Sequence, residues 1–216
     1  MNMIWTIIAF FFINMSGCIL HFYKFKKLKS REIIRRERFM TNFYLTIFFN
    51  VIMVSLIGIF VFTIFLEKFI YSFSIVPFLL DTIFILIIND TWFYWFHRLL
   101  HTNKKLRSII HHEHHLSIKP LPMDYIYAHP LEVLGGLIGI IIPLFLKSVN
   151  IYSYMLAVLI RNIHEIEIHS TCRNKSIIPF FNSPKKHYIH HSLGRSCNYS
   201  SMFSFWDKLM NTEQYS

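Results

Sequence analysis

Apolar and polar positions divide the 216-residue chain into long apolar runs separated by short polar ones. Met3 to Leu20 is almost wholly apolar, and residues 3–23 are long enough to cross a hydrocarbon core of about 30 Å at about 1.5 Å per residue. Phe43 to Leu66 is a second run, with Asn50 and Ser55 its notable polar interruptions, and Ile75 to Phe96 is a third, with Pro77 near its start. Leu131 to Leu146 and Ile151 to Ile160 are shorter than the roughly 20 residues of a straightforward span, and Lys147-Ser148-Val149-Asn150 separates them. A helical hairpin entering and leaving by one face is the economical arrangement for this pair. Gly135, Gly136 and Gly139 in its first arm permit close helix packing. The expected fold class is therefore all-α, a multi-pass helical membrane protein.

Composition agrees. Hydrophobic residues make up 54% of the chain and charged residues only 16%, where soluble domains carry about 45–50% and about 25%. The mean hydropathy is +0.41. The net charge of +10 raises the question of nucleic acid, and the placement of the charges answers it. Lys24 to Arg38 carries Lys24, Lys26, Lys27, Lys29, Arg31, Arg35, Arg36 and Arg38 against Glu32 and Glu37. A short loop this basic stays on the cytosolic side and meets lipid headgroups, so no nucleic-acid partner is expected.

The N-terminus then lies outside. The second run leaves the cytosol, Glu67 to Ser74 turns, and the third run returns. The hairpin makes an even number of crossings, so residues 97–115 and 164–191 share the cytosolic side. A cleaved signal peptide lacks both a basic n-region and a cleavage pattern here, and Met15-Ser16-Gly17-Cys18 lacks the n-region of a lipidation site. Cys18, Cys172 and Cys197 are too few and scattered for a disulfide framework, which suggests a reducing compartment. Asp81, Asn89 and Asp90 fall in the third run, where acids imply a cavity or a polar partner; for Asn89 and Asp90 the plainer reading is the interface beside the aromatic run 92–96.

The candidate chemistry is in the histidines. His111, His114 and His115 are spaced i, i+3, i+4, so on a helix they share a face, and His187, His190 and His191 repeat the spacing. His97 and His101, at i and i+4, face one way at the cytosolic end of the third run. Neutral imidazole is a common metal ligand, one metal takes at most about six ligands, and eight imidazoles imply two metals. Imidazole alone does not select among iron, zinc, copper and nickel; an all-nitrogen pair at a bilayer surface suits redox chemistry on a lipid better than a structural zinc. His112 lies off the shared face. His164 and His169 are about 140° apart on a helix, awkward for one metal but able to serve two. Glu165 shares a face with His169 and is placed to orient it. His129 is read as a loop anchor, and His21 as an interfacial side chain.

In chain order the motifs are His-x-x-x-His (97–101), His-x-x-His-His (111–115), Ala-His-Pro-Leu-Glu (128–132), His169-Ser170, His-x-x-His-His (187–191), Asn198-Tyr199 and Trp-Asp-Lys-Leu (206–209). This series, over residues 90–212, resembles the fatty acid hydroxylase superfamily, the sterol desaturase type of membrane di-iron enzyme. Thr171 and Ser200 depart from it, standing where relatives commonly have glycine.

The resemblance implies a cytosolic histidine-rich helical cap in which two iron ions activate dioxygen, the co-substrate, to hydroxylate or desaturate a lipid, here a sterol-type substrate. Fatty acid or sphingolipid hydroxylation is the alternative within the superfamily, and a non-catalytic metal-binding membrane protein is the alternative outside it. The ligands it implies are His97, His101, His111, His114, His115, His187, His190 and His191, with His164 and His169 as further members. Residues 1–74 would form an N-terminal transmembrane region with the basic cytosolic loop, and 75–216 the catalytic region of one integrated domain. The membrane would be that of the endoplasmic reticulum. Each turnover needs two electrons and the chain leaves no room for a cytochrome b5 or flavin domain, so a separate donor, cytochrome b5 or a reductase, is expected. Lys104, Lys105, Arg107, Lys185 and Lys186 form a basic face able to steer an acidic partner or to meet anionic headgroups.

Overall fold

Most of the apolar runs become helix in a computed structural model of the chain, which describes residues 3–27, 30–170, 173–193 and 197–215. Five long helices are α1 (Met3–Phe25), α2 (Ser30–Ile64), α3 (Ile75–Thr102), α6 (Pro130–Leu146) and α7 (Ile151–Ile168). Between α3 and α6 lie α4 (Lys104–Leu106), a π-helical turn Arg107–His111, α5 (His112–His115) and a 3-10 turn Pro122–Tyr125. After α7 come α8 (Pro184–Leu193) and α9 (Phe205–Leu209). Much of the basic stretch 24–38 lies outside the described residues: positions 28 and 29 entirely, and the side chains of 30–42. Thr171 lies outside them too.

Among the described residues, two helices are long and apolar enough to cross a membrane, Phe43–Ile64 within α2 and Ile75–Thr102, and α6 is a shorter apolar helix. Their outward faces are apolar, with Phe48, Phe49, Leu56 and Phe60 exposed on α2 and Leu79, Leu80 and Ile83 exposed on α3. The inward faces supply a core that includes Ile85, Leu86, Ile140, Leu144, Met155 and Ala157.

The central packing is α3 against α6 and α7. A Cβ at Gly135 would stand 2.1 Å from Phe96 Cζ, and one at Gly139 would stand 3.0 Å from Trp92 Cδ1 and 3.1 Å from the Asn89 carbonyl oxygen. The two glycines, one helical turn apart, therefore let α3 lie directly on the α6 backbone. Trp92 Nε1 closes the contact by donating to the Gly135 carbonyl at 2.7 Å.

Polar residues within the apolar runs tie the helices together. Asp81 accepts from Lys147 Nζ at 2.6 Å and from Asn150 N at 2.7 Å, fixing the α6–α7 turn to the start of α3. Asn150 caps α7 by accepting from Tyr152 N and Ser153 N. At the same end, Phe69–Ile70 (β1) and Val149–Asn150 (β2) form a two-residue parallel pair that the apolar pattern does not announce. Asn50 Nδ2 donates to the Ile126 and Ala128 carbonyls, both at 2.9 Å, and so holds the loop before α6. His21 is buried rather than interfacial, its Nδ1 accepting from Met123 N at 3.2 Å. Asp90 is buried as well and reaches across to the C-terminal segment, accepting from Met202 N at 2.7 Å and Phe203 N at 3.1 Å.

Asp81 and His97 lie 16 residues apart on α3, about 24 Å along its axis. The α6–α7 turn and the histidines thus occupy opposite ends of the bundle.

Replacing Gly135 with Val forces Phe96 off α6 and costs about 3 kcal/mol of stability, within the range for overpacked cores. Gly136→Ala, whose Cβ would meet only Arg161 Nη2 at 3.6 Å, leaves the thermal midpoint near that of the parent. Thermal denaturation of both variants in detergent measures the difference.

Candidate metal centre

The third apolar run continues as helix past Phe96 to Thr102, because His-Arg-Leu-Leu-His contains no breaker. This puts His97 and His101 one above the other on α3, both buried. Asn103 then caps the next turn, its Oδ1 accepting from Lys105 N and Leu106 N. The π-helical turn that follows delivers His111, α5 delivers His114 and His115, and α8 delivers His187, His190 and His191. His169 arrives at the C-terminal end of α7.

These nine imidazoles converge as two groups. His97, His101, His111, His115 and His190 form one, and His114, His169, His187 and His191 form the other; within each, one ligand nitrogen per residue lies within 4.8 Å of all the rest. Each His-x-x-His-His triple is split between them. The first and last residues of the triple 111–115 go to the five-histidine group and His114 to the other, whereas the triple 187–191 gives His187 and His191 to the four-histidine group and His190 to the first. The groups are contiguous, with the His115 and His191 ring centroids 4.6 Å apart.

The outer nitrogens determine which way the rings face. His97 Nδ1 donates to the Tyr199 carbonyl at 2.8 Å, His190 Nδ1 to the Cys197 carbonyl at 2.7 Å, His191 Nδ1 to the Ser117 carbonyl at 3.0 Å and His169 Nδ1 to the Glu165 carbonyl at 2.7 Å. His111 Nδ1 donates to Glu132 Oε1 at 2.8 Å. A carbonyl can only accept, so in these neutral rings Nδ1 carries the proton and Nε2 presents a lone pair inward. His97 Nε2 and His111 Nε2 are then bare and buried 3.2 Å apart, and His111 Nε2 is 2.8 Å from His101 Nε2. Lone pairs pressed together without water repel, and a shared cation relieves them.

The donor set fits such a cation. Burial is the main cause of lowered pKa values: His111 is held at about 3, with Arg107 adding to the effect, and His114 at about 4. Burial also lowers His115, His169, His187, His190 and His191. All are therefore neutral and ready to ligate at pH 7. Nitrogen ligands at ~2.1 Å from a metal stand ~3.0 Å apart at right angles and ~3.4 Å apart in a tetrahedron. The closest Nε2 pairs span 2.8–3.2 Å, distances at which two nitrogens can share one metal.

The remaining histidines stand apart. His164 lies outside both groups, buried, with Nε2 donating to the Ser201 carbonyl at 3.0 Å. His129 caps α6, accepting from Leu131 N, and His112 is exposed. Glu165 meets His169 through its backbone carbonyl and not through its carboxylate, which accepts from Ser201 Oγ at 2.6 Å. Glu165 and His169 repeat on α7 the i, i+4 placement of His97 and His101 on α3. Sequence reasoning did not foresee Glu132 as the partner of His111, although the acid is visible in Ala-His-Pro-Leu-Glu.

The C-terminal segment supplies the other supports. Asp207 accepts from Tyr199 N and Ser200 N, both at 2.9 Å, which holds the peptide whose carbonyl His97 uses, and Asp90, accepting from Met202 N, holds the peptide whose carbonyl His164 uses. Asn198 has φ 53, a conformation asparagine tolerates. Ser200 does not share that left-handed backbone, so a side chain is accommodated there without strain.

His97, His114, His169 and His187 line a cavity between α2, α3, α6 and α7. Val54, Leu137, Ile140 and Val158 line both this cavity and an adjoining apolar groove bounded by Gly58, Phe62 and Met155. The histidine groups therefore open onto an apolar passage.

Comparison with known proteins adds to the geometry. A sequence model of the family described as fatty acid hydroxylase matches residues 82–212. The chain is 34% identical over 131 residues to methylsterol monooxygenase 1 of Rattus norvegicus, covering 59% of this chain and 44% of that protein. It is 34% identical over 142 residues to methylsterol monooxygenase 1 of Danio rerio, covering 63% and 48%. It is 32% identical over 137 residues to very-long-chain aldehyde decarbonylase GL1-9 of Oryza sativa subsp. japonica, covering 59% and 52%. The chain spans about half the length of these relatives. No solved structure matches.

The lowered pKa values set the pH response of the metal-free protein. An unfolded histidine takes up a proton below about pH 6.5, whereas His114 and His111 stay neutral in the fold down to about 4 and about 3. The stability they contribute is complete above the unfolded value and declines as pH falls below it. The thermal midpoint of chelator-treated protein is therefore flat above about pH 7 and drops steadily toward about pH 5; a midpoint that holds or rises on acidification contradicts the buried neutral cluster.

Proposed function

The chain belongs to the fatty acid hydroxylase family, and from that premise we propose that it is a dioxygen-dependent, membrane-embedded di-iron oxidoreductase that hydroxylates or desaturates a lipid. The observation that carries the reading is the convergence of nine imidazoles, eight of them buried and His115 half-buried, in groups of five and four, on a cavity that runs into an apolar groove. His97, His101, His111, His115 and His190 would hold one iron, and His114, His169, His187 and His191 the other. Two irons bound there would supply the activation of dioxygen that oxidation of an unactivated C–H bond demands.

The chain's own residues do the rest. Tyr199, Cys197, Ser117 and Glu165 carbonyls and the Glu132 carboxylate keep His97, His190, His191, His169 and His111 in the ligating tautomer. Val54, Leu137, Ile140 and Val158 exclude water from the passage and guide an apolar substrate to the histidines. The methylsterol monooxygenase relatives favour a sterol-type substrate. α2 and α3 would cross the membrane of the endoplasmic reticulum, with the histidines facing the cytosol. Residues 1–74 would anchor the catalytic region 75–216, and a separate cytochrome b5 or reductase would deliver electrons.

Because the two His-x-x-His-His triples are split, His114→Ala and His190→Ala impair different groups. Each variant retains one iron per chain instead of two and forms no product, as measured by metal analysis and lipid mass spectrometry with an added electron donor. Full iron and full turnover in both would overturn the ligand assignment.

Gly58 tests the passage independently. A Cβ there meets nothing within 4 Å, so the root of a side chain is accommodated and Gly58→Leu narrows the groove that Gly58 lines. It leaves the iron content unchanged and lowers lipid oxidation by a factor on the order of 10–100. Unchanged oxidation would remove the groove as the substrate route.

A further inference from the structure

Arg161 on α7 is a cation with no ion-pair partner among the described residues. It is partly buried, and among the described residues no hydrogen bond or ion pair engages its guanidinium. Nη2 lies over α6, 3.6 Å from where a Cβ would stand on Gly136; the bare backbone there makes room for it. The adjacent Asn162 is 2% exposed, and its Nδ2 has no hydrogen-bond partner while Tyr125 Oη donates to its Oδ1 at 2.8 Å. Both residues line the cavity that holds His97, His114, His169 and His187.

The carboxylates that share this cavity do not pair with Arg161: each has an oxygen engaged by another residue, and Glu132 Oε2 has no hydrogen-bond partner. Glu165, one turn along α7, accepts from Ser201 Oγ at 2.6 Å, and Glu132 accepts from His111 Nδ1 at 2.8 Å. A guanidinium removed from water and left unpaired is costly. Its planar fork of donors matches a carboxylate, which it binds through paired, charge-assisted hydrogen bonds.

We propose that Arg161, with Asn162 Nδ2 beside it, binds the carboxylate of an acidic lipid and thereby sets which carbon of that lipid lies at the histidine groups. The inference rests on the reading of the cavity as the substrate site and narrows the substrate from lipids in general to those with an acid head. The apolar body of the lipid, acyl or steroid, runs from Arg161 along Val54, Leu137, Ile140 and Val158 into the groove. Since the anchor and the histidines share one cavity, oxidation falls on a carbon near the head and not at the far end of the tail. Arg161 is thus a specificity-determining residue.

The test is saturation binding of two matched pairs, stearate with stearyl alcohol and cholesteryl hemisuccinate with cholesterol, to the purified metal-loaded full chain in detergent. In at least one pair the acid binds the wild type about tenfold more tightly than its neutral partner, and the pair that shows it identifies the scaffold. Arg161→Gln abolishes that ratio by weakening the acid alone, and Arg161→Lys, which keeps the charge but not the fork, retains part of it. Unaltered affinity for the neutral partner and unaltered metal content show that the variants are folded; should the Gln variant fail this control, the Lys variant decides by whether the ratio shrinks. Equal binding of acid and neutral lipid by the wild type, no saturable binding of either, or a ratio unchanged in the variants overturns the proposal. A wild type that prefers the acid yet oxidises no lipid leaves the anchor standing and removes the oxygenase reading.

Discussion

The constraint on which the rest of the structure depends is the inward pressing of imidazole lone pairs. His97 and His111 present bare Nε2 atoms to each other at 3.2 Å inside the protein, an arrangement that the rings would leave by rotating if their outer nitrogens were free. Each outer bond therefore acts as a stop. The stops come from distant parts of the chain: the loop after α5 supplies the Ser117 carbonyl, α6 supplies Glu132, α7 supplies the Glu165 carbonyl, and the segment before α9 supplies Cys197 and Tyr199. That last segment is pinned from both sides, by Asp207 on Tyr199 N and Ser200 N and by Asp90 on Met202 N and Phe203 N. The acid within α3 thus serves the histidine groups indirectly, by tying down the segment that carries the Tyr199 carbonyl a few residues earlier.

The helices and the ligand-bearing motifs were legible in the sequence because both depend on local spacing. Apolar runs of span length and histidines at i, i+3 and i+4 state their own geometry. What the spacing could not state is how two groups divide the imidazoles. His111, His114 and His115 read as one wall, but the π-helical turn and the presence of a second helix opposite send His114 to a different group from its neighbours. The pairing of β1 with β2, the burial of His21 against Met123, and the reach of Asp90 to residues more than a hundred positions away are likewise products of tertiary packing. Gly135 and Gly139 lie between these cases: their spacing suggested close approach, and only the fold shows that Phe96 and Trp92 fill the space.

Polarity is graded along the interior in a way that suits chemistry on an apolar molecule. At one end of the bundle Asp81, Lys147 and Asn150 lock the turn between α6 and α7. At the other, neutral imidazoles are gathered with no carboxylate inside either group. Between them runs the passage lined by Val54, Leu137, Ile140 and Val158, interrupted by Arg161 and Asn162 close to the histidines. A low-dielectric passage with a polar stop next to the ligands positions a substrate by its head and leaves the rest to apolar contact.

The central claim, two metals held wholly by imidazole nitrogen on the protein side, is tested most directly by iron K-edge X-ray absorption together with iron quantification on the wild-type protein. The account predicts two irons per chain, a first coordination shell of nitrogen and oxygen at ~2.1 Å with the outer scattering characteristic of imidazole, and no sulfur. One iron per chain, or a sulfur shell from cysteine, would contradict it.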